Sequence, residues 1–169
     1  MTSRTKGASA EREVAVILQD WWRRRDPVAT FRRTPQSGGW QHAPEFRAAG
    51  DIVCTSPEWP FCVEVKRHEA WTLANVVKGR RSPVWAWWDQ ALRQGREAGL
   101  VPLLVWRKSR RPWHVMLPHD MGLPWPHGWL DIPPTEHSVR DGCGGPPIVV
   151  PLADLVSIDP SAFGRGSRA

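Results

Sequence analysis

An α/β domain, with a central mixed sheet flanked by helices, is the fold class that the sequence predicts. Three observations carry it: apolar residues at helical spacing near the N-terminus, a strictly alternating segment at 61–67, and a second helix-periodic segment after Pro83 that leads into the apolar run VPLLVW. The length of 169 residues suits one domain with a full core. A single domain is expected over 1–160, with an irregular extension over 118–160 and a frayed tail over 161–169.

Taken in order, SAEREVAVILQDWWRRR predicts a helix from about Ala8 to Arg24, because Val14, Leu18, Trp21 and Trp22 recur on one side. At about 100° per residue, Glu11 falls in the arc of Ala15, Leu18 and Trp22, whereas Glu13, Asp20 and Arg24 fall on the solvated side. An inward carboxylate costs several kcal/mol or so unless it is paired, protonated or bound to a cation. Its plain alternative is a half-wet carboxylate favoured by the first turn of the helix. VATFRR, 28–33, predicts a short strand, and TPQSGGWQHAPEFRAAG a long loop of the kind that is often functional.

DIVCT and WPFCVEVKR predict two strands joined through SPE. Alternation in the second sends Phe61, Val63 and Val65 one way and Cys62, Glu64 and Lys66 the other. By itself, E-x-K on a strand is more often an ion pair on a solvated face. Pro83 then opens a helix through Trp85, Trp88, Ala91 and Leu92 that stops near Gly99. Its tryptophans belong to the core or to a dimer interface, where large aromatics are enriched. VPLLVW and PWHVML are two further strands around the basic turn RKSRR, and PIVVPLADLVSI closes the domain.

A formal net charge of +6 and a pI near 10.0 favour a polyanionic partner over a neutral small substrate. Cys54, Cys62 and Cys143 have no CxxC spacing and predict neither a disulfide framework nor a zinc site, which suits a reducing compartment. The polar N-terminus and the lack of any apolar run of about 18 residues predict a soluble, cytoplasmic protein with no membrane partner.

The chemistry gathers around Asp51, Glu64 and Lys66, with Glu11 from the first helix. Asp51 opens the strand expected beside Glu64, so the architecture puts both on adjacent strands beneath the first helix. Converging carboxylates repel, and a hard divalent cation relieves that repulsion: Mg²⁺ takes one or two carboxylates, backbone oxygens and water. Asp51 and Glu64 are the expected ligands, with the Val65 carbonyl as a third and Glu11 direct or through water. Such a cation acidifies water and neutralises phosphate charge, while an adjacent lysine stabilises the transition state. That chemistry is phosphodiester hydrolysis.

The motifs KGASAEREV, FRRTPQSGG, GDIV...FCVEVKR and PLLVWRKSRRPWHVML together resemble the PD-(D/E)xK nucleases, and within them the archaeal-type Holliday junction resolvases and their phage-encoded relatives. The resemblance covers residues 4–117. It implies a restriction-endonuclease-like fold, a homodimer that binds four-way DNA junctions and nicks two strands symmetrically, Mg²⁺ as cofactor with Mn²⁺ as substitute, and a catalytic set of Glu11, Asp51, Glu64 and Lys66. It also brings the loop near the scissile phosphate, so Arg32, Arg33, Ser37 and Gly38 are expected on DNA, with Lys6, Arg12, Lys108, Arg110 and Arg111 on the backbone of the arms. The basic turn is equally often a solubilising hairpin tip. Two departures stand out: the stretch between Arg33 and Asp51 is long, and Gly50 replaces the family's proline. Other branched, single-stranded or duplex DNA is the alternative substrate, and a non-catalytic DNA-binding module the alternative class.

Overall fold

The computed structural model describes residues 3–34, 49–121, 130–131 and 147–163. The chain runs α1 (Ser3–Trp22), β1 (Phe31–Arg33), β2 (Ile52–Cys54), β3 (Phe61–Arg67), α2 (Leu73–Val77), α3 (Pro83–Ala98), β4 (Val101–Arg107), β5 (His114–Pro118), β6 (Leu130–Asp131), β7 (Pro147–Pro151) and α4 (Leu152–Ser157). The strands form one sheet in the order β1-β2-β3-β4-β5-β7-β6. Only the β3/β4 pair is parallel, and its crossover contains α2 and α3. The α/β class with a mixed, helix-flanked sheet is therefore correct.

Each face of the sheet has its own apolar layer. Ala10, Val14 and Leu18 of α1 pack on Phe61, Val63, Val65, Leu103 and Val105, and α4 joins them through Leu152 and Leu155. The other face carries Leu104, Trp106, Met116 and Val149 under Trp85, Trp88 and Leu92 of α3. Trp85 and Trp88 are 3% and 2% exposed, which places them in the core rather than at a surface. Helix α3 forms where expected: Ser82 caps it, Pro83 opens it with a φ suited to the first turn, and Gly99 ends it in the left-handed region at φ 63°.

Local differences from the sequence reading have physical causes. Helix α1 begins at Ser3, because its polar first turns continue the helix that the apolar face stabilises further along. The first strand is shorter, since Asp26 folds its side chain back to the Val28 amide in a turn. Helix α2 was not expected; Thr72 accepts from Asn75 N and caps it. Phe163, inside the stretch read as a frayed tail, is 1% exposed and meets Trp21 and Phe61 edge-to-face at 5.2 and 5.3 Å. Such pairs add roughly 0.5–1.5 kcal/mol beyond burial, enough to hold this segment. Glu13 is not simply solvated: it accepts from Arg107 and from Trp113 Nε1, tying α1 to β4 and the start of β5. Among the described residues, no helix is long and apolar enough to cross a membrane.

Candidate active site

Strand β3 places its polar residues by alternation. Glu64 aligns with Leu104 and Lys66 with Trp106 of β4, so both lie on the sheet face covered by α3. Val63 and Val65 share the α1 face. The expectation of Asp51 and Glu64 beneath the first helix is thus corrected for Glu64: a two-residue period assigns it to the opposite face from Val65, which packs under α1. Glu64 is 0% exposed, so it is not part of a solvated ion pair. Its Oε1 is bonded to the Lys66 ammonium, and its Oε2 is buried with no hydrogen-bond partner.

Gly50 delivers Asp51 to this strand. At φ 78° it bridges Val63, and a Cβ on it would stand 2.3 Å from the Val63 carbonyl oxygen. The Asp51 amide then donates to Val63 O at 2.7 Å, and the Val65 amide donates to Asp51 Oδ2 at 2.8 Å. Alternate residues of β3 thus aim their backbone groups at the edge that Asp51 occupies. The departure from the family's proline is explained here, because proline is locked near φ −65° and cannot adopt this conformation.

Burial, then the nearby Glu64 charge, pushes the Asp51 carboxyl up to about 7; the Val65 amide and Lys66 pull against that rise, and Glu11 adds to it. Electrostatics therefore couple all four expected catalytic residues, with Asp51 at the centre. The folded protein holds a proton on Asp51 that the unfolded chain releases between about pH 3.8 and 7. Metal-free stability should fall as pH rises through this window, by an amount on the order of a few kcal/mol, and level off above it. Chemical denaturation from pH 4.5 to 8 checks this: Asp51→Asn should flatten the slope, and Mg²⁺ should recover the wild-type stability near pH 8. A variant with the wild-type slope would refute it.

Glu11 does point inward, and its partner is Arg33, whose Nε donates to Glu11 Oε2 at 2.7 Å. Phe31 packs in the α1-side layer, and Arg33, two residues on, meets Glu11 from the same face. Cys62 shares the Glu64 face, and burial followed by Glu64 and Asp51 raises its thiol to about 12. It is a neutral neighbour, not a thiolate ligand.

Among the described residues, no three His, Cys, Asp or Glu side chains converge into a metal cage. The donors present nevertheless fit a Mg²⁺-type cation, which takes one or two carboxylates and keeps several waters. The unpartnered Glu64 Oε2 and the strained ionisation of Asp51 are what such a cation would relieve.

The remaining expected contacts are scattered. Arg12, Arg32, Arg110 and Arg111 are exposed, Arg110 in the left-handed region at φ 59°. Arg33 is committed to Glu11, and Lys108 lies 5.7 Å from the centre of the Trp71 ring. Lys6 is described only as part of α1, and Ser37 and Gly38 lie outside the described residues. Sequence reasoning missed the Arg33–Glu11 pair and the segment around α2. The Thr72 cap and Gly79 were the available signals for the latter.

The family model "Phage putative PDDEXK endonuclease" matches residues 2–126. Protein D14 of Escherichia phage T5 is 27% identical over 119 residues, which cover 68% of this chain and 70% of that protein. No solved structure matches.

Proposed function

Because the chain belongs to the phage PDDEXK endonuclease family, we propose that it is a Mg²⁺-dependent, structure-selective DNA endonuclease that resolves four-way junctions as a homodimer, by paired symmetric nicks. The observation that carries the catalytic reading is Glu64, a carboxylate buried at the centre of the sheet with one oxygen unpartnered, in electrostatic contact with Asp51 and paired to Lys66. An ionised group so costly to bury is kept where it acts. The order of KGASAERE, GDIV and VEVKR supports the resolvase branch, and two-fold symmetry puts two sites on two strands.

Asp51 and Glu64 would hold the cation, with the Val65 carbonyl, directed to the Asp51 edge, as a third donor. When bound, Mg²⁺ supplies charge neutralisation at the phosphate and acidifies water. Lys66 has a 28% exposed side chain reaching from Glu64 toward solvent, so its ammonium stabilises the extra negative charge of the pentacoordinate transition state. Glu11 orients water from the α1 side, with Arg33 holding its carboxylate. Arg32 and the basic turn bind phosphates without reading sequence.

The test is cleavage of a labelled four-way junction beside linear duplex and flap substrates, with and without Mg²⁺. Paired nicks confined to the junction and lost on chelation are expected, and Mn²⁺ should restore them. Equal cutting of all substrates would replace the junction by DNA in general as substrate. Junction binding without cutting would leave a non-catalytic binding module.

A further inference from the structure

Beyond the C-terminal end of β3, on the α3 side of the sheet, lies an open cleft of about 290 Å³ that the catalytic reading does not use. Trp71, Thr72, Asn75, Arg81, Ser82 and Lys108 are among the residues that line it. We propose that this cleft is a second DNA-backbone site, which receives phosphates of the strand leaving the catalytic centre. The assignment rests on the nuclease reading above and extends its substrate contact to residues outside the catalytic set.

Position is the first argument. Lys66 faces the α3 side, as does the layer containing Trp71, which lines the cleft. The rim residue Glu69 is three residues past Lys66, where the chain bends after β3, so the two lie at most roughly 10 Å apart at 3.3 Å per residue. That distance is about three nucleotide steps at 3.4 Å along a duplex strand. A strand held at Lys66 and running along this face therefore meets the cleft within a few nucleotides of the cut.

Charge is the second. Arg81 is exposed and has no ion-pair partner among the described residues. Lys108 reaches from the β4–β5 turn over the Trp71 ring, 5.7 Å from its centre. The carboxylate at the rim, Glu69, is already engaged by the amide and hydroxyl of Ser109, at 3.0 and 2.5 Å, which together with Lys108 and Arg67 hold it below its ordinary pKa. Arg67 also donates to the Ser109 hydroxyl, so the β3–α2 loop and the β4–β5 turn are braced against each other. Arg81 and Lys108 therefore line one cleft whose nearby negative charge is already satisfied. A phosphodiester backbone matches that arrangement through charge alone, without base readout.

Binding of a fluorescent four-way junction is measured by anisotropy without divalent cations, from 50 to 200 mM salt. Arg81→Gln combined with Lys108→Gln should weaken binding about tenfold at 100 mM and reduce the slope of log K against log salt by about two, one for each lost phosphate contact. Arg81→Gln alone, at an exposed position, should lower the slope by about one and guards against loosening of the fold by loss of Lys108. Arg93→Gln, an exposed charge on α3 away from the cleft, should leave the slope unchanged. Mg²⁺ affinity by calorimetry should stay at the wild-type value in all variants. An unaltered slope in the double variant, or an equal loss in Arg93→Gln, would overturn the cleft and leave the nuclease reading intact. Failure of the wild type to bind DNA would overturn both.

Discussion

Lys66→Met should cost the metal-free protein about 3–5 kcal/mol, whereas Glu64→Gln should cost far less, although both abolish cleavage. The asymmetry follows from where each partner sits. Glu64 is fully buried, and removing Lys66 leaves its carboxylate without a counter-charge in the centre of the sheet, the costly way to break a buried pair. The Lys66 side chain is 28% exposed and extends to water when Glu64 is neutralised, carrying its charge with it. The volume of Gln matches that of Glu, so the packing under α3 is kept. Cleavage should fall by about 10³-fold or more in either variant, the scale on which loss of one transition-state electrostatic contact is felt. Equilibrium denaturation with and without Mg²⁺ separates the roles: the cation should restore much of the stability of Lys66→Met, by binding the Asp51 and Glu64 carboxylates, while leaving it inactive. Equal destabilisation by the two substitutions would show that Glu64 does not bear the buried charge.

Gly50→Ala is expected to be the most damaging single-methyl change near the site. A Cβ there meets the Val63 carbonyl oxygen at 2.3 Å on a backbone with φ 78°, and that oxygen belongs to main chain that cannot rotate away. Left-handed strain and overpacking together amount to about 2–5 kcal/mol. The larger consequence is for Asp51, whose two bonds to β3 depend on that close approach. A shift of about 1 Å in a positioned group costs on the order of 10²-fold in rate, so cleavage should fall even where the protein still folds. Gly99→Ala makes the control: its φ of 63° is similar, but the space around it is open, so it should cost only about 1–2 kcal/mol and leave cleavage alone. If Gly50→Ala retained full activity, Asp51 would not owe its position to this bridge.

The parts of the fold that were legible in the sequence are those governed by short periods. Alternation in FCVEVKR and the Pro83-to-Gly99 helix depend on neighbours a few residues away, so they can be read without the rest of the molecule. Glu11 was legible as an inward carboxylate for the same reason. Its partner was not, because Arg33 reaches it only through the packing of β1 against α1, twenty-two residues later. The face occupied by Glu64 was misassigned because alternation says which residues share a face and not which helix covers it. Gly50 stood out in the sequence only as a replacement for proline, whereas its positive φ and its contact with Val63 depend on the folded chain. Helix α2 escaped because five residues give too short a periodic signal.

The anchoring of α1 by the end of the described chain also sets an order of events during synthesis. Trp21 donates to Ile158 O across 137 residues, and Arg24 and Arg25 bond to carbonyls of residues 156–163. At about 5–20 residues per second, the ribosome needs roughly 7–27 s to travel that distance. Asp51 and the strand bearing Glu64 and Lys66 are made well before α1, which brings Glu11, can be seated. A nascent chain therefore carries the proposed catalytic residues long before it has the framework to aim them, and that framework closes only when residues 156–163 have folded in.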